Sequence, residues 1–162
     1  MKALVIFYSR SGNTRRAAGL IAGALEARGA EVVSEELVDK RSREGFGGLL
    51  RAGLDATFGR ATAIQAPKAD VAGFDVVVVG TPVWAWAGTP AARAFCRTWG
   101  RRAKRTALFC TLMNSTPGGT FKALSSALQD EPLATLALSH RDLKDEAALG
   151  ARVEAFAAQL TD

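Results

Sequence analysis

The chain has 162 residues, of which 48% are apolar and 23% charged; these are ordinary values for one globular domain and exclude wholesale disorder, collagen and coiled coil. We expect a single domain over residues 1–162. No apolar run approaches the roughly 18 residues of a membrane-spanning helix, and the apolar stretch at 3–8 is too short for a signal peptide. A cytoplasmic protein is therefore expected. The two cysteines, Cys96 and Cys110, lie in apolar sequence and are predicted to be buried thiols.

The net charge of +5 arises from 21 basic and 16 acidic residues that are unevenly distributed. No acidic residue lies between Asp75 and Asp130, whereas the same stretch contains seven basic ones: Arg93, Arg97, Arg101, Arg102, Lys104, Arg105 and Lys122. Such a block favours an anionic ligand or an anionic partner surface. It also fits a solvated helix end that keeps the protein soluble, and both interpretations stay open.

Predicted strands and helices alternate along the chain. Residues 3–8 form a continuous apolar run, as in a strand covered on both faces, and apolar residues at helical spacing follow until Gly29. Further strands are predicted at 30–37, 76–79, 106–110 and 133–138. Further helices are predicted at 90–99, at 119–129 and from Leu149 to Leu160. This order predicts an α/β fold in three layers, doubly wound, with a five-stranded parallel sheet of order 2-1-3-4-5.

A long connection over residues 40–68 interrupts this alternation. It contains Gly45-Phe46-Gly47-Gly48, and its apolar residues up to Phe58 predict a short amphipathic helix. Long connections in compact domains are often functional. A lid, a partner-docking surface and a simple cover for the sheet are all open interpretations.

Ligands of doubly wound sheets bind at the carboxyl ends of the strands, near the point where the strand order reverses. The first strand is followed by hydroxyls, a glycine and a predicted helix start, which together suit a phosphate: Ser9-Arg10-Ser11-Gly12-Asn13-Thr14. Arg10 and Arg15 could add charge. The alternative is ordinary helix capping by Asn13 or Ser11. A nucleotide-triphosphate P-loop, a dinucleotide-binding G-x-G-x-x-G after a strand and a Cys-x5-Arg phosphatase loop are all absent from the sequence.

Two further loops follow the third and fourth predicted strands. The first contains two tryptophans on a tight turn, which could stack on a planar ring or simply cover the sheet edge: Pro82-Val83-Trp84-Ala85-Trp86. The second, from Thr111 to Thr120, is small and polar, and its glycines can bring the backbone close to a ligand. Because the carboxyl ends of parallel strands share one edge, the three loops are expected to form one site.

The S-R-S-G-N-T, G-T-P-V-W and glycine-rich loops together resemble the flavodoxin family, in its short-chain type, over nearly the whole chain. The resemblance implies FMN as cofactor. It places Ser9, Arg10, Ser11, Gly12, Asn13 and Thr14 around the FMN phosphate. It places Pro82, Val83, Trp84, Ala85 and Trp86 along one face of the isoalloxazine, with Trp84 or Trp86 stacking. Thr111, Gly118 and Gly119 would approach the other side.

The sequence also departs from this family in two ways. The peptide beside the flavin often involves a glycine in flavodoxins, whereas this chain has Ala85, and alanine disfavours positive φ. Electron-carrier flavodoxins are usually acidic near the flavin, whereas the basic block predicts positive surroundings here.

We therefore expect an FMN-binding, flavodoxin-like redox protein that transfers electrons between a reductase and an acceptor. The alternative is an NAD(P)H-dependent FMN quinone-type reductase, in which the arginine-rich 93–105 stretch attracts the dinucleotide or an anionic substrate. No catalytic acid–base pair, nucleophile or metal-ligand set is visible, and a flavin carrier needs none. A flavin-free module that binds nucleic acid is a third interpretation, disfavoured because no groove-reading motif accompanies the basic residues.

Overall fold

Strands and helices alternate along the chain in the predicted order. The computed structural model describes residues 1–39, 64–113 and 116–161. Its strands are β1 (Lys2–Phe7), β2 (Glu31–Glu36), β3 (Val76–Trp84), β4 (Ala87–Gly88), β5 (Thr106–Leu112) and β6 (Thr135–Ser139). Its α-helices are α1 (Asn13–Ala27), α2 (Pro90–Thr98), α3 (Thr120–Leu128) and α4 (Glu146–Thr161). The amphipathic helix predicted within 40–68 lies outside the described residues.

Five of the strands form a parallel sheet in the order β2-β1-β3-β5-β6. Counting parallel strands alone, this is the predicted order 2-1-3-4-5, so the flavodoxin-like fold is confirmed. The sheet also has a sixth strand that the sequence did not predict. β3 runs beyond the expected 76–79 as far as Trp84, and the two-residue β4 folds back against it in antiparallel fashion.

Helices cover both faces of the sheet. In β1, Ala3, Val5 and Phe7 belong to the core under α1 and α4, whereas Leu4 and Ile6 belong to the core under α2 and α3. Burial on both sides explains why the parallel strands are continuous apolar runs in the sequence. The segments that follow β1, β3 and β5 leave the sheet at the carboxyl ends of these strands.

The helix ends use the residues that the sequence marked. Gly29 has φ 83° after α1, its N–H donates to Glu26 O at 2.9 Å, and the N–H of Ala30 donates to Leu25 O at 3.0 Å. These two bonds form a Schellman motif, which turns the chain directly into β2. α2 begins with Pro90, and Thr89 Oγ1 caps it by accepting from the N–H of Ala92 at 3.2 Å.

Gly80 lies where β3 passes Phe109 of the adjacent β5. A methyl group at Gly80 would lie 2.1 Å from Phe109 Cζ, so the ring would have to move within a packed core. We expect Gly80→Ala to lower the free energy of unfolding by about 1–3 kcal/mol, measured by urea denaturation. The control is Gly23→Ala, on the exposed side of α1 with no atom within 4 Å, which should gain about 0.5–1 kcal/mol. Equal stability of the two variants would contradict this packing.

Candidate functional site

Three loops meet at the carboxyl edge of the sheet. The residues after β1, the turn between β3 and β4, and the residues after β5 all leave the sheet on this side. The strand register fixes their proximity, since Phe7 pairs with Gly80 and Pro82 pairs with Thr111. The three predicted loops therefore lie together, as the sheet topology required.

The first loop presents backbone N–H groups at the start of α1. Gly12 precedes the helix with φ 92°, a conformation that favours glycine. The hydroxyl oxygen of Ser9 accepts hydrogen bonds from the N–H of Gly12 at 3.2 Å and from the N–H of Arg15 at 3.3 Å. The alternative interpretation, helix capping by Asn13 or Ser11, is wrong. Gly12 occupies the N-cap position and no side chain caps from there; Ser9 supplies the accepting oxygen instead. Such an arrangement of N–H donors and helix dipole suits an anion.

The arginines around this loop differ in how they are held. Arg15 Nε and Nη2 donate to the two carboxylate oxygens of Glu36 at 2.9 and 3.0 Å. The pKa of Arg15 is raised, first by this hydrogen bonding and then by the charge of Glu36. Arg16 donates to Leu143 O at 2.6 Å. Arg10 is exposed and its side chain has no partner among the described residues. Its guanidinium is therefore available to an incoming anion, unlike those of Arg15 and Arg16.

The second loop is a tight hairpin with an unusual backbone. Ala85 has φ 47° and Trp86 has φ 63°, as the two central residues of a type I′ turn require. The expectation that alanine at this position avoids positive φ is wrong. Strained residues of this kind persist where surrounding contacts hold them, and they concentrate at functional sites.

The two tryptophans of the hairpin have different environments. Trp84 is half-buried, and its ring meets Tyr8 edge-on with centroids 5.5 Å apart. Trp86 is 60% exposed. Trp84 therefore supports the loop after β1, while Trp86 presents its indole to solvent.

The third loop holds Trp86 through two glycines. The N–H of Gly119 donates to Trp86 O at 2.8 Å. Gly118 has φ 55°, and a Cβ there would lie 3.1 Å from Trp86 O and 3.2 Å from its ring atom Cε3. The N–H of Gly118 is itself fixed by Thr116 Oγ1 at 3.2 Å. The second and third loops are thus in direct contact, and a side chain at 118 would displace the indole of Trp86.

A slot of about 270 Å³ opens between these two loops, with walls formed by Val83, Ala85, Trp86, Leu112, Met113 and Thr116. Met113 is 75% exposed beside the exposed indole. Pockets that enclose a drug-sized ligand measure about 300–1,000 Å³, so this slot suits a planar ring whose remainder lies outside it. Larger open grooves, of about 680 and 700 Å³, run along β2 and between α3 and β6. Neither is lined by residues of the three loops.

A buried hydrogen bond joins the first loop to β5. Thr14 Oγ1, in the first turn of α1, lies 2.8 Å from Thr111 Oγ1. The two threonines are 2% and 5% exposed. Both were predicted to contact the cofactor directly, and in the structure their hydroxyls contact each other.

Most of the basic block lies at the opposite edge of the sheet. Residues 97–105 run from the last turn of α2 to the start of β5. Lys104 Nζ lies 3.2 Å from the carboxylate of Asp75, which precedes β3 and also accepts the N–H of Lys2 at the start of β1. Arg93 is buried in α2. The prediction that this block gives the flavin basic surroundings is therefore wrong for 97–105, because these residues lie at the amino ends of the strands.

Both cysteines are buried, as predicted. Burial raises the pKa of each thiol to about 12, so neither supplies a thiolate near neutral pH. Across residues 1–39, 64–113 and 116–161, no three His, Cys, Asp or Glu side chains are grouped as a metal site. Within the same ranges, no helix has the length and apolar character to cross a bilayer.

The sequence model of the NADPH-dependent FMN reductase family matches residues 1–139. The chain belongs to this family. FMN, the predicted cofactor, is the flavin of that family, and the prediction of an FMN-binding, flavodoxin-like redox protein is confirmed at this level. No curated protein sequence matches the chain.

Solved structures share the fold. A flavoprotein from Lactobacillus acidophilus, in complex with FMN, has a TM-score of 0.69 at 19% identity and covers 88% of this chain and 96% of its own. A candidate flavoprotein from Bacteroides eggerthii has 0.72 at 21% identity, covering 96% and 98%. Flavodoxin 1 from Bacillus cereus has 0.63 at 17% identity, covering 99% and 97%. At these identities the likeness shows the fold alone.

The strained turn gives a stability prediction. A non-glycine residue in the left-handed region costs about 1–2 kcal/mol, and replacing alanine by glycine costs about 0.4–1 kcal/mol through the entropy of the unfolded chain. We therefore expect Ala85→Gly to raise the free energy of unfolding by about 0.5–1 kcal/mol. Ala87→Gly, two residues on in β4, should lower it by about 0.5–1 kcal/mol. Destabilisation of both variants in urea titrations would contradict a strained Ala85.

Proposed function

We propose that the chain is one domain over residues 1–162 that holds FMN at the carboxyl edge of its sheet and accepts electrons from NADPH for transfer to a planar acceptor such as a quinone. The observation that carries this proposal is the open slot between Trp86 and Met113, whose lining side chains among the described residues are mainly apolar and include no charged one. A small planar donor or acceptor can reach such a slot directly. The family match supports NADPH as the reductant.

The phosphate of FMN is assigned to the loop before α1. The N–H groups of Gly12 and Arg15 already converge on one oxygen, that of Ser9. A phosphate oxygen that took the place of the Ser9 hydroxyl would accept from the same donors and lie on the axis of the helix dipole. The assigned set is that of the sequence prediction: Ser9, Arg10, Ser11, Gly12, Asn13 and Thr14. Within it, exposed Arg10 supplies the charge, since Arg15 is held by Glu36.

The isoalloxazine is assigned to the slot. We assign stacking to Trp86, because Trp84 is half-buried and held edge-on to Tyr8. Aromatic stacking of this kind adds about 0.5–1.5 kcal/mol beyond the area that is buried. The remaining predicted contacts follow the geometry of the loops, with Pro82, Val83, Trp84 and Ala85 on the hairpin side and Gly118 and Gly119 on the other. Thr111 was predicted with the latter two, but it is buried and its hydroxyl is bonded to Thr14.

When bound, FMN supplies the hydride and one-electron chemistry. The described residues contribute binding and orientation. The helix N-terminus would fix one end of the ligand. Gly118 and Gly119, which we call the glycine clamp, hold the indole of Trp86 against which the ring would lie. The open side of the slot leaves room for a second planar molecule.

An electron carrier is the second candidate function. The observation in its favour is the shared fold with flavodoxins, such as that of Bacillus cereus. In this case a partner reductase delivers the electrons, and Trp86 and Met113 form part of the docking surface. The ligand site is the same in both candidates, and the source of the electrons distinguishes them.

The reductant test uses the FMN-loaded protein without air. NADPH alone should bleach the flavin absorbance, and a quinone added afterwards should restore it over repeated turnovers. NADH in place of NADPH serves as the matched donor control. A yellow protein that NADPH leaves unbleached, while a generic flavodoxin reductase reduces it, would contradict the reductase and leave the carrier.

The glycine clamp predicts a position-specific loss of affinity. In Gly118→Ser, the new Cβ meets Trp86 at 3.1–3.2 Å on a backbone with φ 55°, so the indole should shift. We expect the Kd for FMN to rise about tenfold, which corresponds to the loss of one stacking contact. Isothermal titration calorimetry measures it.

Gly29→Ser is the matched control for the clamp, because Gly29 follows the far end of α1 and is outside the assigned site. Its backbone is also left-handed, with φ 83°, but a Cβ there has no atom within 4 Å. We expect its FMN affinity to stay within about twofold of wild type. Equal affinities of the two variants would rule out the assigned stacking on Trp86.

A further inference from the structure

The buried Thr14–Thr111 pair joins the two ends of the assigned FMN site. Thr14 is in the first turn of α1, at the phosphate end, and Thr111 is in β5, paired in register with Pro82 of β3. Their hydroxyl oxygens are 2.8 Å apart. The two residues are 97 positions apart in the sequence. Their hydrogen bond connects the start of α1 to β5, whose Leu112 lines the slot.

The hydrogen bonding of the two hydroxyl groups is incomplete. Each threonine hydroxyl has one proton to donate and can accept in return. One proton lies in the bond between the two oxygens, and either oxygen can be its donor. The described residues give the other proton no acceptor. A buried donor without an acceptor is unfavourable, so an acceptor arriving next to the pair would be bound in part by this proton.

We propose that Thr111 is a positioning residue that turns the hydroxyl proton of Thr14 toward the phosphate of FMN. If Thr111 donates to Thr14, the proton of Thr14 is free to point out of the pair at the start of α1. Hydrogen bonds arranged in series polarise one another, so the donor at Thr14 becomes stronger. The affinity for phosphate then depends on a side chain in β5 that is not part of the phosphate loop.

This proposal rests on the assignment of FMN to the site. Its distinguishing consequence is selectivity for the phosphate. FMN and riboflavin share the ring and differ in the phosphate, so the ratio of their Kd values reports on the phosphate end alone. A residue that merely supported the fold would change both affinities together.

The test is Thr111→Val, which keeps the shape of the side chain and removes its hydroxyl. We expect the Kd for FMN to rise about tenfold or more, as for loss of one hydrogen bond to a charged group, with the Kd for riboflavin unchanged. Thr111→Ser keeps the hydroxyl and should keep the wild-type ratio. Thr111→Ala gives the same readout as valine if the valine variant does not fold.

Two further variants complete the design. Thr106→Val removes another buried β5 hydroxyl, at the amino end of the strand, whose oxygen lacks a partner among the described residues; it should change neither affinity. Thr14→Val should weaken FMN binding by itself. The double variant Thr14→Val/Thr111→Val should bind FMN no more weakly than Thr14→Val, because loss of either hydroxyl already breaks the relay of hydrogen bonds from Thr111 through Thr14 to the phosphate.

Four outcomes would overturn the proposal. Wild-type FMN affinity in Thr111→Val shows that Thr14 needs no partner. Equal weakening of FMN and riboflavin shows a structural role alone. Additive losses in the double variant show that the two hydroxyls act independently. A wild-type protein that binds neither flavin overturns the proposed function as well, so failure of the assignment and failure of the relay give different results.

Discussion

The parallel pairing of β1, β3 and β5 is the constraint on which the site depends. Both faces of these strands are buried under helices, and alternate residues of β1 belong to different cores. A slip of one residue would exchange the two cores, so the register is strongly specified. That register places the end of β1 beside Gly80, and Pro82 of β3 beside Thr111 of β5. The three loops are thereby brought to one edge, where a helix N-terminus, a tight turn and a glycine clamp can act on one ligand.

The alternation of strands and helices could be predicted from the sequence because it rests on long, regular patterns. The buried runs, the helical spacing before Gly29 and the proline that opens α2 are local signals, and each agrees with the fold. The loop before α1 was also predictable, since a buried strand followed by a glycine and a helix start defines it. The residue that accepts from the first N–H groups was not predictable. Ser9 Oγ accepts from the N–H of Gly12, whose backbone is left-handed, and the positions of Asn13 and Ser11 did not indicate this geometry.

Other features depend on long-range contacts that the local conformational preferences of the residues oppose or do not indicate. Ala85 and Trp86 adopt positive φ against their own preference, and the bond from the N–H of Gly119 to Trp86 O helps to hold them. The Thr14–Thr111 bond joins residues 97 positions apart, which no spacing pattern reveals. By contrast, the position of the basic residues could have been predicted from the sequence. Residues 101–105 directly precede a predicted strand, so they belong at its amino end, away from the carboxyl edge of the sheet.

The central claim is that the start of α1 and the Trp86 slot are the two ends of one FMN site. A crystal structure of the protein soaked with FMN tests it most directly. The account predicts phosphate oxygens within hydrogen-bond distance of the N–H groups of Gly12 and Arg15, with the isoalloxazine stacked on Trp86 between the hairpin and residues 112–118. FMN stacked on Trp84, or bound in the groove along β2, would contradict it.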